Sequence, residues 1–253
     1  MSLMDRLAGS APVRVLLTLA AYAVYAAVLG ASLVPPATLG LLAFRRITAD
    51  GTDLGGIALC CLCAAGCLYV FFFCGLVLTG LLVRLFSLGV KPGRHPAASL
   101  VTLSWLLAGG IATWSWRLML PFVPMTFLSQ MYYRIAGCRM GRDVYVNTLE
   151  VNDPYLVTIG DNSVIGGGAV IVPHVYEAGR LILAPVTIGK NCLIGAEAYL
   201  SPGVTIGDGS VIGLRVHLRK GTRVPPGSRV LNPAGMPPHR VYELERGRGS
   251  RKG

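Results

Sequence analysis

A chain of 253 residues with 53% hydrophobic and only 14% charged residues is not an average soluble domain. Its net charge of +11 is accompanied by no nucleic-acid-binding motif, which argues against a DNA or RNA partner and for lipid headgroups or a phosphate-bearing ligand. The apolar excess lies almost wholly before Tyr133 and a six-residue repeat lies after it, so the chain reads as a membrane part followed by a repeat part.

Residues 1–133 are expected to form the membrane region. The run from Pro12 to Phe44 is apolar apart from Arg14, and Pro35–Pro36 is expected to break or end a first span over about 13–34. The run is too long for a signal-peptide core and lacks a convincing cleavage site. Residues 54–83 carry no charge and are long enough to cross a hydrocarbon core of about 30 Å. Arg84, Lys91, Arg94 and His95 follow in a loop, with His95 read as a contact for lipid phosphate.

Residues 97–133 contain three tryptophans and are interrupted by Arg117, Pro121 and Pro124. They read as a further membrane or interfacial hairpin: two short spans, a re-entrant hairpin or helices lying in the interface. Each option returns the chain to its starting side. An even number of crossings leaves only Arg45 and Arg46 opposite the other loop cations, so the positive-inside rule places the repeat domain in the cytoplasm, on a bacterial inner membrane.

Five of the seven cysteines (Cys60, Cys61, Cys63, Cys67, Cys74) lie in one apolar run with no His or carboxylate among them. They read as small helix residues, with palmitoylation as the alternative.

The repeat domain is expected over 134–238, followed by a basic tail at 239–253. From Ile135 a first coil reads IAGCRMGRDVYV, with a one-residue slip near Val146. The six-residue phase runs from Asn147, breaks at IVPHVY, and resumes at Ile182, leaving an excursion that carries His174, Glu177 and Arg180. From Ile182 to Gly235 nine hexads hold phase. Each opens on Ile, Leu or Val, and each fifth position is small or β-branched, Cys192 among them. This period fits neither a helix nor a simple strand, but it fits a β-helix with flat faces. Ile188, Ile194, Leu200, Ile206 and Ile212 are expected to point inward, with Gly, Asp and Asn at the turns.

PGVTIGDGSVIG and PPGSRVLNPAG resemble the closing coils of the hexapeptide-repeat acyltransferases. The resemblance implies a left-handed parallel β-helix with three hexads per triangular coil. It also implies a homotrimer with sites between neighbours, and acetyl-CoA, another acyl-CoA or a carrier-protein phosphopantetheine thioester as donor. The expected fold is therefore a mixed membrane protein: N-terminal transmembrane or interfacial α-helices, then a left-handed parallel β-helix. A wider likeness over roughly residues 85–235, through GVKPGRHP, QMYYRIAGCRMGRDV, DPYLVTIGDNSVIG and HVYEAGRLILAPVTIG, resembles the carboxy-terminal region of nonribosomal-peptide-synthetase-like membrane proteins such as the poly-lysine synthetases. It implies a stand-alone version of their membrane and β-helix part, with a carrier protein or synthetase as a possible partner.

His174 lies where the repeat phase breaks and is expected on a loop outside the wall. The family carries a catalytic His in an excursion just before a PV-x-IG unit, which Pro185–Gly189 matches here. Acyl transfer needs a base titrating near the working pH, and imidazole supplies it. Glu177 and Asp153 are the candidates to orient that imidazole, as carboxylates do in triads. The resemblance assigns cofactor contacts to Gly195, Gly213, Arg219, Lys220 and Arg240. Two departures weigh on these contacts: the segment before Pro225–Pro226 is longer, and Gly235 stands where the family has a basic residue after NPA. His217 reads as outward and exposed. No metal is expected, since His174, His217 and His239 lack ligand spacing. The competing reading is a non-catalytic trimeric β-helix scaffold in a membrane-bound biosynthetic complex. A His174 cleft lined by basic residues from a neighbour separates the two.

Overall fold

A computed structural model of the chain describes residues 11–49 and 53–231. Its contacts divide the chain into two compact units between Leu81 and Leu82, not at 133. Residues 82–133 belong with the repeats because their helices pack on them, as shown below.

The first unit holds helix α1 (Ala11–Ile47) and most of helix α2 (Leu54–Ser87). Both are long and apolar enough to cross a membrane, with mean hydropathies of 1.8 over Tyr22–Ile47 and 2.5 over Leu54–Ser87. The prolines do not break the first helix, contrary to expectation: α1 runs through Pro35 and Pro36. Two hydroxyls flanking the prolines bond back to the helix. Ser32 Oγ donates to the Val28 carbonyl at 2.7 Å, and Thr38 Oγ1 donates to the Val34 carbonyl at 2.6 Å. In apolar surroundings an uncoiled turn would strand more backbone groups than two prolines do. Gly40 faces the Cys67 sulfur, which lies 3.3 Å from where a Cβ would be. All five cysteines of α2 are free thiols.

The second unit opens with strand β1 (Gly93–Pro96) and helix α3 (Leu100–Leu118). Ser99 caps α3, its Oγ accepting from the Thr102 amide at 3.2 Å. His95 Nε2 donates to the Lys91 carbonyl at 2.8 Å, a local bond within its own loop. A 3₁₀ turn at Leu120–Phe122 and the short helix α4 (Phe127–Ile135) follow. The stretch 97–133 is thus one 19-residue helix and one short amphipathic helix. Among the described residues only α1 and α2 meet the length and hydropathy of a span.

The repeats form a parallel β-helix from β2 (Arg139–Met140), β3 (Tyr145–Val146), β4 (Val157–Ile159), β5 (Val164–Ile165) and β6 (Val170–Ile171). It continues in β9 (Val186–Ile188), β10 (Leu193–Ile194), β11 (Tyr199–Leu200), β12 (Thr205–Ile206), β13 (Val211–Ile212), β14 (His217–Leu218), β15 (Arg223–Val224) and β16 (Arg229–Val230). Three parallel sheets run in the orders β15-β12-β9-β4-β2, β16-β13-β10-β5-β3 and β14-β11-β6. Ile188 pairs with Ile206 and Ile194 with Ile212, eighteen residues apart, so three hexads make one coil. Ile188, Ile194, Leu200, Ile206 and Ile212 are all at most 1% exposed. The small fifth positions Cys192, Ala198, Val204 and Ser210 are buried at the corners.

Gly195 has a packing reason to be glycine. A Cβ there would lie 2.5 Å from the Gly213 carbonyl carbon in the next coil. At Gly213 it would lie 3.2 Å from Leu231 Cα. Backbone stacks on backbone at this corner, with no room for side chains.

Two departures from the eighteen-residue coil build the site. The first coil is one residue longer: Val146 pairs with Ile165, nineteen residues on. The extra residue falls in the third side, where Asp153 takes a left-handed backbone (φ 44°) before a 3₁₀ turn at Pro154–Leu156. The second departure is the excursion after β6. It is not a loop. It is an antiparallel hairpin of β7 (His174–Glu177) and β8 (Arg180–Leu183), turning on Ala178 and Gly179 at positive φ. β1 adds to β8 as a third strand, with His95 opposite Leu181. Ile182, read as the start of a hexad, instead belongs to this hairpin, and the wall resumes at Val186. Strand alternation explains the difference: Leu181 and Leu183 are buried with Val90 and Leu156, so Ile182 between them faces the other way.

Candidate active site

His174 begins β7, and Asp153 ends the lengthened third side of the first coil. Their side chains meet: His174 Nδ1 lies 2.5 Å from Asp153 Oδ2. Asp153 is 3% exposed and His174 28% exposed. A buried carboxylate requires donors on its oxygens. Oδ1 has two, the Trp105 indole Nε1–H at 3.0 Å and the Tyr155 hydroxyl at 3.2 Å. Burial, reinforced by the neighbouring Asp153 carboxylate, raises the Tyr155 pKa well above the usual phenol range and keeps it a donor. With Oδ1 satisfied, Oδ2 accepts from the imidazole. Nδ1 therefore carries the proton toward Asp153, and Nε2 presents its lone pair. The Trp105 ring fixes the imidazole plane edge-on, with centroids 4.9 Å apart.

His174 and Asp153 lie at one end of a cavity of about 360 Å³. Helix α3 forms one wall with Trp105, Leu106, Gly109, Thr113 and Trp116, and Leu149, Val151 and Asn152 of the first coil face it. The helix read from sequence as part of a membrane hairpin thus supplies a wall of the site.

Glu177 does not orient the imidazole. Its carboxylate is held by Lys220 Nζ at 2.5 and 2.6 Å, while Asp153 is the imidazole's partner. Lys220, expected to meet a cofactor phosphate, thus makes a solvent-accessible ion pair here. Arg219 is exposed beside it. Arg240, His239 and the NPA segment lie outside the described residues.

His217 is not merely exposed. It stacks edge-on with Tyr199 at 4.7 Å, and its Nε2 lies 3.1 Å from Ser201 Oγ. Partial burial, then the Arg219 cation, lower its pKa. Among the described residues no group of three or more His, Cys, Asp or Glu side chains could hold a metal ion.

The residues that sequence reasoning missed are Trp105 and Tyr155. Trp105 reads as a headgroup aromatic in an apolar run, and nothing local marks its bond to a residue 48 positions away. Tyr155 carried a weak signal, two residues after Asp153 in the one stretch where the first coil slips.

Comparison with known proteins bears on this geometry. Residues 157–173 and 185–213 match the family described as hexapeptide repeat of succinyl-transferase. The chain is 29% identical over 122 residues to delta-poly-L-ornithine synthetase from Acinetobacter baumannii (strain AB307-0294), covering 46% of this chain and 9% of that protein. It is 37% identical over 78 residues to galactoside O-acetyltransferase from Escherichia coli (strain K12), covering 28% of this chain and 38% of the relative. A solved hexapeptide-repeat-containing acetyltransferase from Vibrio cholerae O1 biovar eltor, complexed with acetyl coenzyme A, is 24% identical with a TM-score of 0.34, covering 38% of this chain and 56% of that one. The chain thus spans well under half the length of the two curated relatives. The matched repeats and the acetyltransferase relative make this chain similar to the hexapeptide-repeat acyltransferases over its β-helix.

Proposed function

We propose that this protein moves an acyl group from a phosphopantetheine thioester, on acetyl-CoA, another acyl-CoA or a carrier protein, to a hydroxyl or amine acceptor. The observation that carries this reading is the His174–Asp153 pair at the end of a cavity on a hexapeptide-repeat β-helix. Nε2 of His174 takes the acceptor's proton as its oxygen or nitrogen attacks the thioester carbonyl. Asp153 stabilises the imidazolium that results. The tetrahedral intermediate collapses, the C–S bond breaks, and the thiolate takes the proton back from Nε2. The products are the acylated acceptor and a free thiol, and the imidazole is neutral again.

Arg219, Lys220 and Arg240 are the proposed contacts for the donor's phosphates, with Glu177 exchanging Lys220 to the ligand. Gly195 and Gly213 offer the donor a side-chain-free corner. The β-helix is read as left-handed and trimeric, with sites completed by neighbours. The similarity to a poly-ornithine synthetase supports a synthetase or carrier-protein partner.

A thiol-release assay on the full chain tests the activity. Acetyl-CoA should release thiol in proportion to an added sugar, amine or lipid acceptor. No release from either CoA or carrier-protein donors would favour the non-catalytic scaffold.

The membrane reading rests on α1 and α2 as two spans with the repeat domain cytoplasmic, in a bacterial inner membrane. Reporter fusions should place residue 49 outside and residues 5 and 250 inside. Residue 250 outside would overturn both the even crossing count and access to a cytoplasmic donor.

A further inference from the structure

The cavity extends well beyond the catalytic pair, and its chemistry differs along its length. The polar groups Asp153 and His174 lie against Trp105 at one end, with Asn152 next to Asp153, while Thr113 further along α3 spends its hydroxyl on the Gly109 carbonyl. From there the α3 wall runs from Trp105 to Trp116, eleven residues on one helix face, or roughly 16 Å at 1.5 Å per residue. Its middle is left wide by Gly109, where an added Cβ would meet no atom within 4 Å. Leu149 and Val151 close the opposite side. Among the described residues no Lys or Arg lines it.

Among the described residues a phosphate-bearing donor finds no cation in this lining, whereas Arg219 and Lys220 stand on later coils. The molecule that meets Nε2 directly is the acceptor, because its proton is the one removed. The groove leads away from that atom and is apolar. We propose that the acceptor is an amphiphile: its hydroxyl or amine lies at His174 and its alkyl chain lies along α3 between Trp105 and Trp116. This rests on the acyl-transfer reading and deepens it by naming the substrate class. The groove explains why α3, too polar to count as a span, still carries aromatic and aliphatic side chains on its β-helix face. Each methylene that enters such a groove strengthens binding about fourfold until the groove is filled.

The test uses the full chain with two substrate series. One pairs acetyl-CoA with alkyl glycosides and alkylamines of increasing chain length. The other pairs a short acceptor with acyl-CoA donors of increasing chain length. The proposal expects kcat/KM to rise steeply along the acceptor series and little along the donor series. Gly109→Leu, or Ala112→Leu on the same wall should the first fold poorly, should collapse the ratio of long-chain to short-chain acceptors by at least tenfold. A steep rise along the donor series instead would overturn the assignment to the acceptor. A flat profile in both series would overturn the groove.

A second readout does not depend on turnover. A photoreactive long-chain alkyl glycoside should label residues 105–116 above the level of α2, which serves as the internal reference for nonspecific partitioning. The labelling should persist in His174→Ala and fall in Gly109→Leu. Such labelling in a protein that transfers no acyl group would sink the acyl-transfer reading and leave the groove standing. Labelling no higher than on α2 would overturn the groove whatever the activity.

Discussion

Replacing His174 by glutamine is expected to lower acyl transfer roughly 10²–10⁴-fold while leaving the melting temperature nearly unchanged. The amide can donate to Asp153 Oδ2 in place of Nδ1. It cannot accept a proton at the position of Nε2. His174→Ala should lose the same activity, and it should also cost stability. Removing the imidazole leaves Oδ2 of a 3% exposed carboxylate without its donor, a loss of about 1–3 kcal/mol. From sequence alone, with His174 on a loop, this substitution would be expected to be structurally silent; the buried partner changes that expectation. Asp153→Asn should fall in the same range of activity. Its amide would donate to Nδ1, move the ring proton to Nε2, and remove the lone pair that acts as base. Steady-state rates together with melting curves check all three. Wild-type rates in His174→Gln would remove His174 from the mechanism.

Replacing Ile194 by aspartate is expected to unfold the β-helix. Ile194 is fully buried in the middle coil, its backbone paired to Ile165 on one side and Ile212 on the other. The adjacent inward positions of neighbouring coils are also aliphatic, so a carboxylate there would have no donor. An unpaired buried charge costs several kcal/mol, comparable with the roughly 5–15 kcal/mol that holds an ordinary domain. Because each coil is stacked between two others, loss of the middle one removes support from both. A circular-dichroism melt that matches wild type would refute the inward register at Ile194.

The repeat architecture was legible because each coil obeys one local rule. Ile188, Ile194, Leu200 and Ile206 recur at six because three flat sides joined by tight corners impose that period on any residue that fills the core. A break in the period is equally visible, which is why the slip after Val146 and the excursion at His174 both stood out from residue order alone. What the breaks contain was not legible. The excursion's strands are short, and the second of them, β8, pairs antiparallel with Gly93–Pro96, some 85 residues earlier in the chain, a partner no local pattern encodes. The choice between Asp153 and Glu177 was likewise open, since both are carboxylates near His174 in order or in phase.

The sequence by itself determined the β-helix, its inward residues, the two long apolar helices and the position of a candidate base. Only the tertiary structure decided which carboxylate that base uses, that Trp105 and Tyr155 hold it, and that α3 is a wall of the site. The physical reason is range. Period and hydropathy are set by neighbours along the chain, where one rule repeats. The site is set by single contacts between distant segments: Asp153 sits at a left-handed backbone position in the lengthened first coil, the hairpin brings His174 to it, and α3 lays an indole N–H against the same carboxylate.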